Sequence, residues 1–190
     1  MHILARMKVL VSIILIAVVV GYGVYTSDWF QKKYLYPFPY SEIVYRCALE
    51  KDIDPFLIAG VIRTESKFNT QARSPKGALG LMQMMPETAK WVADQMDFPT
   101  NFDINHLENP EVNIRMGTWY LSSLKKEFKG NEVLLLAAYN GGRGNVKQWM
   151  GQYDWNMSFS DVERIPFLET RAYVNRVLAS QKRYQELYGR

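Results

Sequence analysis

A single glutamate, Glu65, closes the apolar run "DPFLIAGVIRTES", and a loop containing "GALGLMQMMPETA" follows it. Leu57, Val61 and Glu65 succeed one another at i, i+4 and i+8, with Ile58 and Ile62 beside them. On a helix this spacing puts the carboxyl at the edge of the apolar stripe. A carboxyl held against apolar side chains loses the hydration that favours its charged form, so its pKa rises. A general acid working near neutrality needs that shift. The same position also suits a solvated acid at a fraying helix end, or a partner of Arg63, Lys67 or Arg73.

Three further stretches carry groups that could serve a lone acid. Gly77 and Gly80 bracket Ala78-Leu79, and "LMQMM" then offers polarizable methionines, Met85 among them, around one amide, Gln83. Apolar faces with a few hydrogen-bonding groups are what a sugar ring requires, although methionines in such a run are as readily core. "LLLAAYNGG" sets Tyr139 and Asn140 at a helix end before two glycines, where a tyrosine hydroxyl could reach a carboxylate. "IPFLETRAYV" places Glu169, Arg171 and Tyr173 at the start of the last helix, and an acid there is also ordinary dipole complementarity.

Other chemistries lack their residues. The chain has two histidines and one cysteine, so a His/Cys metal cluster cannot be assembled and no metal or cofactor is expected. A Ser-His-Asp triad would depend on His106 alone, with no nucleophile-elbow motif. Cys47 falls at an apolar helical position, which marks core more often than a nucleophile. There is no phosphate-binding glycine loop and no EF-hand spacing. Glycosidic bonds are the substrates that need little beyond a carboxylic acid and stabilisation of an oxocarbenium-like transition state.

The elements that must position these residues are helices. Ser41 to Lys51 is one. Asp54-Pro55 gives a cap followed by proline at the first helical position and starts a second, running to about Ser66. A third starts near Pro86 and runs to about Met96. Asn109-Pro110 opens a long one, and Asn131 caps "EVLLLAAYN", which Gly141-Gly142 ends. A short helix covers about Val146 to Met150, and the last runs from Glu169 to about Tyr188. No segment alternates as a strand. The expectation is a mainly α protein.

The N-terminal region differs from the rest of the 190 residues. Val9 to Tyr25 contains no charge, close to the shortest helix that crosses a bilayer, about 17 residues. Arg6 and Lys8 precede it and the first acid is Asp28, which predicts a cytoplasmic N-terminus and an extracytoplasmic remainder. Tyr22, Tyr25, Trp29 and Phe30 would sit at the outer interface. A cleaved signal peptide and a buried core helix are the competing readings, and Gly21-Tyr22-Gly23 is a poor cleavage site. The expected organisation is a cytoplasmic tip and anchor over 1–27, an aromatic linker over 28–39 in which Pro37 and Pro39 keep their predecessors extended, and one catalytic domain over 40–190. Of the 23 basic residues only Arg6 and Lys8 precede residue 28, and none of the 19 acids does, so the remainder from Asp28 on carries a net charge of +2. That is too weak to argue for nucleic acid and fits loosely with an anionic envelope polymer.

Taken together, "ESKF", "SPKGALGLMQMMPETA", "AYNGG" and "IPFLETRAYV", in this order, resemble the SLT-type lytic transglycosylase domain of the goose-type lysozyme superfamily, over roughly Tyr40 to Tyr184. The resemblance implies a lysozyme-like α domain that cleaves the β-1,4 bond from N-acetylmuramic acid to N-acetylglucosamine in peptidoglycan. It implies that Glu65 acts alone: it protonates the leaving oxygen, then takes a proton from the muramoyl 6-hydroxyl, which closes onto C1 as a 1,6-anhydro end. It further implies that Ser74, Gln83, Met85 and Asn140 contact sugars, that Tyr139 positions Glu65, and that Glu169, with Tyr173 near it, belongs to the cleft. Gly141 stands where many relatives carry alanine, a difference expected to be neutral. Two other outcomes stay open, a lysozyme-type hydrolase and a wall-binding module without catalysis.

Overall fold

The computed structural model describes residues 2–96, 98 and 102–189, in two units, Met1–Phe38 and Pro39–Arg190.

In the first unit, helix α1 covers His2–Thr26, and its stretch Arg6–Thr26 is long and apolar enough to cross a membrane. The aromatic linker is helical up to the residues before its prolines, through a short α2, Asp28–Phe30, and a π-helical turn, Gln31–Leu35. Ser27 caps α2 by accepting from the Phe30 N–H at 3.3 Å, and the Gln31 side chain donates to the Tyr25 carbonyl at 2.8 Å. No proline interrupts the chain before Pro37, so these local bonds carry the helix on.

The second unit is a helical domain: α3 (Ser41–Lys51), α4 (Pro55–Ser66), α5 (Pro86–Gln95), α6 (Pro110–Glu127), α7 (Glu132–Gly141), α8 (Arg143–Gln152) and α9 (Leu168–Tyr188). Among the described residues there are no strands, only two isolated bridges, Arg73 with Leu79 and Leu79 with Met84. The caps follow the sequence chemistry. Asp54, Asn109 and Asn131 each accept backbone N–H groups from the first turn of the helix they precede. Arg143–Gln152 is longer than the helix expected over Val146 to Met150, because Gly142, at φ +91°, turns the chain directly from α7 into α8. A 3-10 turn, Ile104–Glu108, has no counterpart in the sequence reading. Asp103 caps it, and the His106 ring accepts the Asp103 N–H at 3.2 Å, which gives that histidine a structural role.

In the core, α7 is buried continuously from Leu134 to Ala138, as a helix apolar all round should be. α4 is buried from Phe56 to Ile62 and packs chiefly on α9. Gly60 makes that close: a Cβ there would sit 3.0 Å from the Val177 carbonyl oxygen and 3.2 Å from the Gln181 nitrogen. Asp54 meets Gln181 at the other end, so the two helices run antiparallel. This register brings the C-terminal end of α4 opposite the first turns of α9, and Glu65 opposite Tyr173. Cys47 is buried in α3, where burial pushes its thiol pKa up, as for a core residue.

Candidate active site

Glu65 lies in the last turn of α4, and its carboxyl forms part of a cleft of about 280 Å³. The cleft also takes Ser74, Gln83, Met85, Tyr139, Asn140 and Glu169, so one concavity unites seven of the eight residues singled out in the sequence. Burial is the largest influence on Glu65 and raises its pKa to about 7. A donor contact from Tyr173 and the charge of Arg176 oppose that rise, and the charge of Glu169 adds to it. Two of the alternative partners are otherwise engaged: Arg73 pairs with Glu108, and Arg63 donates to Ser180.

Tyr173 is the eighth residue and is not on the cleft surface. It is buried in α9, its hydroxyl facing the Glu65 carboxyl outside conventional hydrogen-bond geometry and meeting no other polar group among the described residues. Tyr139 was expected to position Glu65. Its hydroxyl instead donates to the Met82 carbonyl at 2.8 Å, so its proton holds the loop. It influences Glu65 by proximity, and burial raises its own pKa well above that of a free phenol.

The loop between α4 and α5 is held by side chains that cross it. Ser66 donates to the Leu81 carbonyl at 2.8 Å. Asn113 on α6, fully buried, accepts from the Met82 N–H at 2.8 Å and donates to the Leu79 and Leu107 carbonyls at 3.0 and 2.8 Å. Gly80 is obligatory beneath it. Its φ is +75°, and a Cβ would fall 2.2 Å from the Asn113 amide and 2.3 Å from the Leu107 carbonyl oxygen. Met82 seats on Gly117, where a Cβ would meet its sulfur at 2.4 Å. Gln83, at φ +47°, donates its amide to the Ala72 and Gly80 carbonyls, both at 2.9 Å, which leaves its side-chain oxygen as an acceptor. Ser74 Oγ accepts the Ala78 N–H at 2.9 Å and keeps its own O–H to give.

Opposite the loop, Asn140 Oδ1 accepts from the buried Thr170 hydroxyl at 2.8 Å, so its Nδ2 remains to donate. Gly141 makes room for that contact, because a Cβ on it would stand 2.9 Å from Thr170 Oγ1. The glycine is therefore fitted to its surroundings. At the mouth, Lys76 and Glu169 face each other at 3.9 Å, both largely exposed.

Solved structures share this arrangement of helices. The chain is 35% identical to the 70 kDa soluble lytic transglycosylase of Escherichia coli, with a TM-score of 0.77 over 85% of this chain and 26% of that one. An inactive mutant of the lytic transglycosylase Slt of Pseudomonas aeruginosa gives 36% identity and a TM-score of 0.73, over 83% of this chain and 26% of that one. Among curated proteins, the soluble lytic murein transglycosylase of Salmonella typhimurium is 36% identical over 85% of this chain and 25% of its own length. A membrane-bound lytic murein transglycosylase C of Edwardsiella ictaluri is 31% identical over 78% of this chain and 47% of its own. Residues 43–160 match the family described as the transglycosylase SLT domain.

The chain belongs to the transglycosylase SLT domain family. It spans about a quarter of the length of the soluble relatives, so the SLT domain is what it has in common with them. Sequence reading of this SLT domain found seven of the ten residues that line the cleft. It passed over Asn113, Gly117, Ser66 and Thr170 behind it, and the exposed Arg176. Asn113 carried a faint signal, as an amide at an inward position of an amphipathic helix.

Proposed function

We propose that the chain is a membrane-anchored peptidoglycan lytic transglycosylase that cleaves the β-1,4 bond between N-acetylmuramic acid and N-acetylglucosamine. The supporting observation is the partly buried Glu65 carboxyl, close to half-protonated at neutral pH, in a cleft that offers sugar-binding groups. In its protonated form Glu65 gives its proton to the glycosidic oxygen as the C1–O bond breaks. The resulting carboxylate stands beside the oxocarbenium-like ring and stabilises it. It then removes the proton of the 6-hydroxyl, whose oxygen bonds to C1. Atoms balance without water, and Glu65 returns to its starting state.

The other assignments follow from which atoms the protein leaves unused. Ser74 O–H and Asn140 Nδ2 donate to sugar oxygens, Gln83 Oε1 accepts from a hydroxyl, and the half-exposed Met85 covers a ring face. Glu169 lines the mouth, and Tyr139 and Tyr173 support Glu65 from within the protein. Residues 40–190 form the catalytic domain, 28–39 the connection and 1–27 the cytoplasmic tip and anchor. Lys32 and Lys33 follow the apolar helix much as Arg6 and Lys8 precede it, so charge bias alone is slight. The extracytoplasmic placement of the domain rests on where its polymer substrate lies.

Glu65→Gln tests the assignment. It keeps the shape and removes the transferable proton. Murein turnover is expected to fall by at least a hundredfold, the contribution general acid–base groups commonly make. Near-normal turnover would overturn the role given to Glu65.

A further inference from the structure

A concavity of about 360 Å³ lies at the other end of α4 from Glu65. Tyr45, Ala48 and Leu49 of α3 line it, with Asp52 and Ile53 of the turn that follows and Pro55, the first residue of α4. Ala48 and Ile53 are buried and form part of the core. Leu49 is not. It is 87% exposed, the most exposed large apolar side chain among the described residues, above every one in the apolar helix α1. A single leucine on a surface needs no explanation, but this one has Tyr45 one turn before it and an apolar hollow beside it. The Tyr45 ring is seated edge-on against Phe56 at 6.3 Å, so that wall is fixed.

The face is close to neutral. Asp52, the charged member of the lining, pairs with Lys125 at 2.8 Å, and Arg46 beside it pairs with Glu111. Glu42, exposed, stands at the edge one turn before Arg46. Such a face does not call for a strongly charged partner.

The chain that leads to this face indicates what covers it. Leu35 ends the helical stretch that follows the apolar helix, and Ser41 begins α3 six residues later, at most about 20 Å of chain. A bilayer holding α1 is therefore always within reach of α3. Seven of the seventeen residues from Trp29 to Tyr45 are aromatic, against 14% for the whole chain. Five of those seven are Trp or Tyr, rings with one polar end that are favoured at the boundary of bilayer and water. The run suits that boundary all the way to the exposed face. A partner protein or a second copy would leave this run without a purpose, whereas a lipid surface accounts for both the run and the face.

We infer that the Tyr45–Leu49 face of α3 docks on the lipid surface of the bilayer that holds the anchor, with Leu49 entering the interfacial layer and Tyr45 at its edge. Pro55 and Glu65 are ten residues apart on α4, a rise of about 15 Å. Docking at one end of that helix holds the cleft at the other, away from the lipid. The face orients the domain and takes no part in bond breaking. This inference rests on the membrane anchor proposed above.

The full chain is reconstituted in vesicles of phosphatidylethanolamine and phosphatidylglycerol, and flotation after an alkaline carbonate wash is recorded first. A chain lost from the vesicles would overturn the anchor and the docking with it, and a chain that floats tests the docking alone. A nitroxide is then placed through Leu49→Cys, Glu50→Cys or Ser160→Cys, all exposed positions, while Cys47 is buried and takes no label. Collisions with oxygen, which concentrates in lipid, are compared with collisions with a water-soluble nickel chelate equilibrated across the vesicles. The oxygen-to-nickel ratio at Leu49 is expected to be several-fold higher than at Glu50 and Ser160. Glu50 carries the same label on the same helix but points about 100° round it, so neither the label nor nearness to the anchor gives that result. Equal ratios at all three positions would leave the face in water and overturn the docking. Poor access of both reagents at Leu49 would overturn it too. Dipolar broadening between labels would then assign the face to a second copy, and no broadening would assign it to another part of the same chain.

Discussion

The Tyr173 hydroxyl faces the Glu65 carboxyl from inside the protein, and among the described residues it has no other polar group to meet. A donor aimed at a carboxylate favours its charged form, so Tyr173 holds down a pKa that burial raises. Tyr173→Phe removes the donor and keeps the ring. Glu65 should then hold its proton to higher pH, and the alkaline limb of kcat against pH should move up by roughly one unit. Arg176→Gln should move it the same way by less, since Arg176 is exposed. Glu169→Gln removes a charge that raises the Glu65 pKa and should move the limb down. A downward shift for Tyr173→Phe would contradict this electrostatic arrangement.

Stability should carry the same signature. The folded protein holds Glu65 near 7, against 4.5 for an ordinary glutamate. The native state therefore binds this proton more tightly than the unfolded chain, and stability is lost as pH rises from about 4.5 through 7. Glu65→Gln removes the cost of the buried charge. Its unfolding free energy should exceed that of the parent at pH 8 by up to about 3 kcal/mol, with some discount for the cleft-facing side of the carboxyl, so its Tm should be higher there, and the gap should close by pH 4. Thermal unfolding at the two pH values checks this, and a gap that widens at low pH would have the wrong sign.

Asn113→Ala should be among the most damaging single changes outside the cleft. It would leave the Met82 N–H and the Leu79 and Leu107 carbonyls without their partner in a fully buried site. Unsatisfied buried groups cost about 1–3 kcal/mol each, so a loss of roughly 3–5 kcal/mol is expected in urea unfolding. Activity should fall with it, since those bonds hold the loop that carries Gln83. A loss below about 1 kcal/mol would show that the loop is held by other means.

Gly141→Ala should weaken substrate binding more than it weakens the fold. The new methyl group displaces Thr170 Oγ1, and Asn140 then loses the bond that orients it. KM should rise several-fold with kcat little changed. Thr170→Val, which removes the same hydroxyl, should make the added Gly141→Ala nearly silent, as expected for two changes acting on one contact. An unchanged KM would show that Asn140 is oriented by other means than the Thr170 hydroxyl.

Most of the helices were legible because their signals are local. Asp54-Pro55, Asn109-Pro110 and Asn131 are caps whose chemistry works within one turn, and each starts a helix where expected. The cleft surface was legible because Ser74, Gln83, Asn140 and Glu65 lie in a family pattern, and the apolar spacing before Glu65 was enough to foresee a poorly hydrated acid. The side chains behind the cleft were not, since their partners lie far along the chain. Asn113 serves carbonyls and an amide up to 34 residues away, and Thr170 meets Asn140 across 30. Tyr139 shows the same limit: its place near the acid was foreseen, but the carbonyl that takes its proton belongs to Met82, 57 residues earlier.

The chemistry of the new glycan ends tests the central claim most directly. Purified murein is digested with the full chain and the fragments are weighed by mass spectrometry. If Glu65 serves as acid and then base with the 6-hydroxyl as acceptor, the muramoyl ends are 1,6-anhydro, lighter by one water than reducing ends, and Glu65→Gln yields none. Reducing muramoyl ends from the active protein would contradict the account, because they require water as acceptor.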